Sequence, residues 1–462
     1  MLLTFKEIEY MTDALETEKF EIAALGRASG FDSVSIDSRN SKQGSLFAAL
    51  SGENTDGHKF VENAFNLGAS AALVEKSKLA EFSLKDLAAK KNCTLIAVDN
   101  TLHGLQNLAA MYVQKFPNLL RIGITGSSGK TTTKEITAAI FKNEKNIAYN
   151  EGNLNSETGL PLSVFSITSG HTAGIFEMGM NRHGEIAELA KVLKPQIACI
   201  TNTGSAHVGH IGSTEKIALE KKDIFSMFTG RETAIIPEDS AYKELLSKDV
   251  NGKIKYFGIG TFTKNGGKKN SLGLLGSELN LNGKKIHFSL PGEHNFKNVL
   301  AAIAIAQEAG ISNDSIAKGI ENTPSLFGRC EYVSGKASLV KDCYNANPDS
   351  MREAITLCDS IQCSGKKIYV IGSMLELGNK TEIEHQNTGN LLEKSNCDFI
   401  FLFGNETLCT GQKLKSKKYF WTNNIEELKA ELEKKVADGD LVLLKGSRIC
   451  ELERIIGSWA EV

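Results

Sequence analysis

No stretch of the 462-residue chain runs for about 18 apolar residues without interruption, so a membrane-spanning helix is not written into it. The opening segment, MLLTFKEIEYMTDALETEKF, carries five acidic residues and lacks the basic start and apolar run of a secretory signal. Excess charge is also missing. The formal net charge is -2 with 23% charged residues, which excludes the broad basic face that nucleic acid requires. The nine cysteines are scattered from Cys93 to Cys450, and no two stand at the C-x-x-C spacing of a metal or redox site. We expect a soluble, cytoplasmic chain with reduced, mostly buried thiols that binds neither nucleic acid nor membrane. Cys330 and Cys343 fall near polar loops, but no neighbouring histidine completes a nucleophilic pair.

At about 100 to 200 residues per domain, the length allows about two to four domains, and three is the starting expectation. Residues 1–100 alternate short β-rich runs (SLFAAL, AALVE, TLIAVD) with the helical spacing of GHKFVENAFNLGA, which reads as a small α/β module. The helical pattern TLHGLQNLAAMYVQKF follows and stops at Pro117. Over residues 101–327, apolar strands (LLRIGIT, TAGIFEMG, QIACITN) alternate with amphipathic helices (KTTTKEITAAIFKN, GEIAELAKVL, IALEKKDIFSMF). That alternation predicts a doubly wound parallel sheet with helices on both faces. The Gly-, Lys- and Asn-rich stretch from Gly258 to Gly292 carries β alternation and reads as a hairpin-like insertion. Residues 328–462 form a third α/β run with KKIYVIGSMLELG, DFIFLFGN and LVLLKGSR as buried strands. The expected fold class is therefore α/β in three domains.

The segment GITGSSGKTTTKE, Gly123 to Glu135, joins an apolar strand to a helix through a glycine-rich turn. Such a turn aims backbone N–H groups at an anion, and the helix dipole adds about half a positive charge. The strict pattern G-x-x-x-x-G-K-[ST] would place glycine at Ile124, so the match is to the variant T-G-x-x-G-K-T. Thr125, Gly126, Ser127, Ser128, Gly129, Lys130, Thr131 and Thr132 form the candidate cradle for a nucleoside triphosphate. The competing reading is a glycine turn with a solvated lysine.

Ligands in doubly wound sheets sit beyond the C-terminal strand ends. Three such ends carry possible metal ligands: Thr131, Glu177 in IFEMG, and His207 in ITNTGSAHVGH. Alone, Glu177 reads as a loop acid and His207 or His210 as a satisfied loop histidine; together beside a triphosphate they suit magnesium. Lys221 and Lys222 follow His207 on a helical face, where adjacent lysines are ordinarily solvated. A lysine beside magnesium would repel it unless the amine were neutral or converted to an anion. KDCYNANPDSM, residues 341–351, reads either as a structural turn or as a polar binding loop. Asn295 and Asn298 open an Ala-rich helix, where capping competes with ligand contact.

Together and in order, these motifs resemble those of the Mur ligases, ATP-dependent amide-forming enzymes of peptidoglycan precursor synthesis. SIDSRNSKQGSLFAALSGENTDGHKF resembles the family's N-terminal domain for long UDP-muramoyl peptides. TGSSGKTTTKE resembles its phosphate loop and GEHNFKNVLAA its adenine-side segment. GNLNSETGLPLSVF, YNANPDSM and GSMLELG are similar to the member that adds D-alanyl-D-alanine. The resemblance implies a UDP-binding module (1–100), a central P-loop ATPase-like domain (101–327) and a C-terminal Rossmann-like domain that takes the incoming dipeptide (328–462). It also implies ligation of D-alanyl-D-alanine to UDP-N-acetylmuramoyl-tripeptide through an acyl phosphate, by a monomer. Lys130 would contact the terminal phosphates; Thr131, Glu177 and His207 would hold magnesium, with two ions in all. Lys221 would be the carbamylated lysine, a cation turned into a carboxylate-like ligand, with Lys222 as the alternative. Asn295 and Asn298 would face adenine, and Arg329 and Asp342 the phosphates and ribose. Ser38 and Arg39 would lie near UDP, and Asn153, Asn155, Tyr344, Asn345 and Asn347 along the peptide path. Ser373 departs from the family's more frequent aspartate. Two rivals stand beside this reading: a Mur ligase adding a single amino acid, and a non-ligase P-loop nucleotide switch.

Overall fold

The alternation of apolar strand runs with amphipathic helices folds into α/β structure whose large sheets are mostly parallel. The structure is a computed structural model that describes residues 1–12, 19–52 and 54–460, apart from the side chains of Met11, Thr12 and His210. The chain divides into two compact units, and the division does not follow chain order.

The first unit comprises Met1–Gly123, Asn146–Met180 and Gly184–Pro195. Its five-stranded sheet runs in the order Glu21–Ala24, Thr94–Val98, Ala71–Glu75, Ser45–Ala48, Ser33–Ser35; the first pairing is antiparallel and the others parallel. Parallel strands are covered on both faces and read as continuous apolar runs, as AALVE and TLIAV do. Phe47, Val61, Phe65, Val74 and Leu95 fill the core between this sheet and its helices. The expected helix forms as Thr101–Gln114, started by Asn100, whose side chain accepts the His103 N–H at 3.0 Å, and it ends before Pro117. In the same unit Ala173–Glu177 pairs parallel with Ile147–Tyr149, Ala173 opposite Ile147.

The second unit comprises Ile124–Lys145, Asn181–His183 and Gln196–Val462. Here Ile197–Ile200, Thr233–Pro237 and Lys253–Phe257 are neighbouring parallel strands. The strand Leu120–Thr125 ends inside this unit, where its Thr125 carbonyl accepts the Thr201 N–H at 2.8 Å. The phosphate-loop helix Lys130–Phe141 packs against helices Glu293–Glu308 and Asn313–Glu321. The stretch read as a hairpin is a three-stranded antiparallel sheet of Lys268–Ser271, Ser277–Leu281 and Lys284–Phe288. A six-stranded sheet follows in the order Glu331–Val333, Ser338–Asp342, Leu441–Lys445, Lys367–Gly372, Phe399–Phe403, Tyr419–Thr422, parallel except at its first pairing. Helix Pro348–Ser360 carries proline in its first turn, and Asn347 and Ser350 cap it reciprocally.

Candidate active site

The phosphate loop lies within the second unit. Gly129, at φ 77°, precedes helix Lys130–Phe141 without a side-chain cap, so the first helical N–H groups point out of the helix end. A Cβ on Gly126 would stand 1.8 Å from Thr201 Oγ1, and one on Gly129 would stand 2.2 Å from Asn298 Oδ1. Glycine at both places therefore lets two neighbouring segments touch the loop backbone. Thr125, Gly126, Ser127 and Thr132 are buried, while Ser128, Gly129, Lys130 and Thr131 are half-buried. Lys130 Nζ donates to the Gly126 carbonyl at 2.8 Å, which folds the ammonium over the turn. Asn202, which lies in the quoted segment ITNTGSAHVGH but is not among the expected site residues, clasps the loop from the next strand end. Its Oδ1 accepts from Ser127 N–H (3.0 Å) and Ser128 N–H (2.9 Å), and its Nδ2 donates to Ser128 Oγ at 2.7 Å.

His207 sits in the left-handed region at φ 64° and opens the short helix Val208–Ile211. Its Nδ1 is 3.3 Å from Glu376 Oε2, an ion-pair distance without hydrogen-bond alignment. Lys221 is only 1% exposed. Burial, reinforced by the nearby Lys130 ammonium, holds its amine well below the ordinary lysine value. Lys222 is half-buried and lines a cavity of about 450 Å³ with His183, Lys216 and Glu220. The two adjacent lysines are thus physically distinct: Lys221 is buried, and Lys222 is half-buried.

Glu177 belongs to the first unit, at the end of strand Ala173–Glu177, and is 2% exposed. Asn150 brackets its backbone, accepting the Glu177 N–H and donating to the Glu177 carbonyl, both at 2.9 Å. Asn155 Nδ2 donates to Glu177 Oε1 at 2.6 Å. Asn153 is exposed, and its carbonyl accepts the Asn155 N–H at 2.7 Å. Further along the same unit, Ser38 is buried and accepts from Asn63 Nδ2 at 3.0 Å, whereas Arg39 is largely exposed and paired with Asp37 at 2.6 Å.

In the second unit Asn295 and Asn298 are both buried. Neither caps its helix: Asn295 Nδ2 donates to the Pro291 carbonyl at 2.8 Å, and Asn298 lies against Gly129. The Arg329 guanidinium stacks 4.3 Å from the Tyr344 ring centroid. Asp342 is buried, accepting from Cys330 N–H at 3.1 Å and pairing with Lys445 Nζ at 2.9 Å. The same ammonium donates to the carbonyl of exposed Asn345 at 2.7 Å. Asn347 is engaged as a helix cap, its Oδ1 accepting Ser350 N–H at 2.9 Å. One expectation needs correction: Cys330 does have a histidine neighbour, with its Sγ 3.3 Å from His294 Nε2. Burial and the Asp342 carboxylate push that thiol well above its ordinary value, so it is no thiolate nucleophile. Lys445, His294 and Asn202 all stand in segments read from the sequence, but nothing there marks their roles, because each finds its partner only through the fold.

Among the described residues no three His, Cys, Asp or Glu side chains are grouped to cage a metal ion. The oxygen donors expected on the metal are divided between the units, the Thr131 hydroxyl in the second and the Glu177 carboxylate in the first, and each is of the type that suits a hard cation. A neutral amine is a poor partner for magnesium, so Lys221 fits that role only as a carbamate.

Three family patterns match the chain: Mur ligase middle domain over residues 124–306, Mur ligase, glutamate ligase domain over 328–448, and Mur ligase family, catalytic domain over 31–113. The UDP-N-acetylmuramoyl-tripeptide--D-alanyl-D-alanine ligase of Treponema pallidum is 40% identical over 462 residues, covering 98% of both chains. The Bacillus subtilis protein of the same name is 34% identical and covers 92% of both. Among solved structures, MurF from Acinetobacter baumannii superposes with a TM-score of 0.86 at 26% identity, over 99% of this chain and 98% of that one. MurF ligase from Thermotoga maritima, in complex with ADP, gives 0.78 at 27% identity over 93% and 97%. Family patterns along its length and relatives aligned over nearly all of it place the phosphate loop in its setting: the chain belongs to the Mur ligase family.

Proposed function

We propose that the chain is an ATP-dependent ligase that joins D-alanyl-D-alanine to UDP-N-acetylmuramoyl-tripeptide, giving the UDP-pentapeptide, ADP and phosphate. The observation that carries this reading is the identity of 40% across 98% of a protein named for that reaction. The terminal carboxylate of the peptide attacks the γ-phosphorus of ATP and expels ADP, forming an acyl phosphate. The dipeptide amine then attacks the acyl carbon, loses a proton and expels phosphate.

The residues divide the work by chemistry. Lys130 leaves the Gly126 carbonyl for the terminal phosphates, while the N–H groups opening helix Lys130–Phe141 receive phosphate oxygens. Thr131, Glu177, His207 and Lys221, the last as its carbamate, would hold magnesium, which when bound would supply positive charge between an anionic carboxylate and an anionic triphosphate. Asn295 and Asn298 serve the adenine side, Arg329 and Asp342 the phosphates and ribose. Ser38 and Arg39 serve UDP; Asn153, Asn155, Tyr344, Asn345 and Asn347 serve the peptide and dipeptide. The segment from Arg329 to Asp342 excludes water from the acyl phosphate. We take the working domains as residues 1–100, 101–327 and 328–462, in a monomer that acts in the cytoplasm.

Phosphate release from MgATP, measured with UDP-muramoyl-tripeptide in the presence and absence of D-alanyl-D-alanine, tests the reading. Release that needs both substrates, with a UDP-pentapeptide detected by mass, supports it. Turnover with one amino acid in place of the dipeptide would move the chain to a sibling activity. Turnover independent of both would make it a nucleotide switch.

A further inference from the structure

Residues Thr201–His207 leave the strand Ile197–Ile200 as a loop held on two sides, both within the second unit. One side is the phosphate loop. Besides the Asn202 contacts, Thr201 Oγ1 donates to the Ser128 carbonyl at 2.6 Å, and Ser127 Oγ donates to the Gly204 carbonyl at 3.0 Å. The other side is helix Pro348–Ser360. Asp349 Oδ2 accepts from Ser205 N–H at 2.6 Å and from Ser205 Oγ–H at 2.8 Å, while its Oδ1 pairs with Arg352 at 3.1 Å. Gly204 lies between the two sides: a Cβ there would stand 2.3 Å from Asp349 Oδ2 and 3.4 Å from Ser127 Cβ. Its φ is not positive, so glycine is needed for space and not for conformation.

By sequence Asp349 belongs to YNANPDSM, the stretch assigned to the incoming dipeptide. We infer that Asp349 is instead a positioning residue for nucleotide binding, acting through the loop Thr201–Ser205 on the amides of Ser127 and Ser128. A carboxylate in the first turn of a helix is favoured by the helix dipole alone. That role would not require two bonds from Ser205 or an unsubstituted Gly204 pressed against the carboxylate. Charge-assisted bonds to a backbone N–H and a hydroxyl hold a loop firmly. Releasing them frees Gly204 and with it the partner of Ser127 Oγ. The inference rests on the proposed ATP-dependent reading.

The test is calorimetric binding of MgADP to the full chain without acceptor, paired with steady-state KM values. Asp349→Ala and Gly204→Ala are each expected to weaken MgADP binding about tenfold or more, raise the KM for ATP, and leave the KM for D-alanyl-D-alanine within about threefold. Asp349→Asn keeps an acceptor oxygen without the charge, so it should recover part of the loss. Unchanged MgADP binding with a raised dipeptide KM would overturn the inference and return Asp349 to the acceptor site. Should both alanine variants fail to fold, Ser205→Ala removes only the hydroxyl donor; weaker MgADP binding then supports the inference and unchanged binding overturns it. Wild-type chain that binds no MgADP would overturn the nucleotide reading itself, a failure visible before any variant is made.

Discussion

Asn155 Nδ2 donates to Glu177 Oε1 at 2.6 Å, so a residue expected on the peptide path holds a residue expected on the metal. Groups that orient a ligand are worth about 10- to 100-fold in metal affinity or activity. Asn155→Ala should therefore raise the magnesium concentration for half-maximal phosphate release by about tenfold. A magnesium titration reads this directly. An unchanged magnesium requirement with a raised peptide KM would leave Asn155 as a peptide contact alone.

Lys221 and Lys222 make opposite predictions. Carbamate forms when a neutral amine attacks carbon dioxide and releases one proton. Burial and the Lys130 charge lower the Lys221 amine well below the ordinary lysine range, which favours the neutral form that reacts. Exhaustive removal of carbon dioxide in mildly acidic buffer should abolish activity, and bicarbonate should restore it. Lys221→Ala should cost about 100-fold or more and lose the bicarbonate response, whereas Lys222→Ala should keep it. The reverse pattern would transfer the carbamate to Lys222.

The parts of the molecule readable from sequence are those whose cause is local. The phosphate loop showed because glycine, lysine and threonine act within one strand-to-helix turn. The strands showed because burial on both faces demands continuous apolar runs. The stretch around Asn347 reads from sequence either as a structural turn or as a polar binding loop, and in the structure Asn347 caps a helix with Ser350, three residues on, as its partner. Contacts that depend on sheet order stayed hidden. Lys445 meets Asp342 because strand Leu441–Lys445 lies beside Ser338–Asp342, with Lys445 in register with Asp342, and nothing in either segment announces that neighbour. Cys330 and His294 are joined in the same way, by packing of segments far apart in the chain.

Space rather than chemistry makes Gly129 irreplaceable. Alanine there would hold a non-glycine residue at φ 77° and drive its Cβ to 2.2 Å from Asn298 Oδ1. The left-handed conformation alone costs roughly 1 to 2 kcal/mol, and Asn298 must also move. MgADP affinity of Gly129→Ala should fall by about tenfold or more. Lys130→Ala should behave differently, abolishing phosphate release while MgADP still binds, because the ammonium acts on charge that develops at the terminal phosphate. Normal turnover by Lys130→Ala would remove the lysine from its assigned role.

The buried thiols contribute to the response to alkali. Burial, with Glu453 and Asp342 nearby, pushes Cys343 up to about 12, and burial pushes Cys450 up to about 11, against an ordinary value of 9.0. Below pH 9 both thiols are protonated in folded and unfolded chains alike, and their contribution to stability is fully present. Above it the unfolded chain releases protons that the fold retains, so stability falls as pH rises, through about 11 for Cys450 and about 12 for Cys343. The slope is up to about 1.4 kcal/mol per pH unit for each thiol. Lysines and tyrosines titrate in the same range, so the measurement is a comparison: urea midpoints from pH 9 to about 11 for wild type and for Cys343→Ala/Cys450→Ala. The double variant starts less stable but should lose stability less steeply. Parallel profiles would mean that neither thiol keeps its proton against alkali in the folded chain.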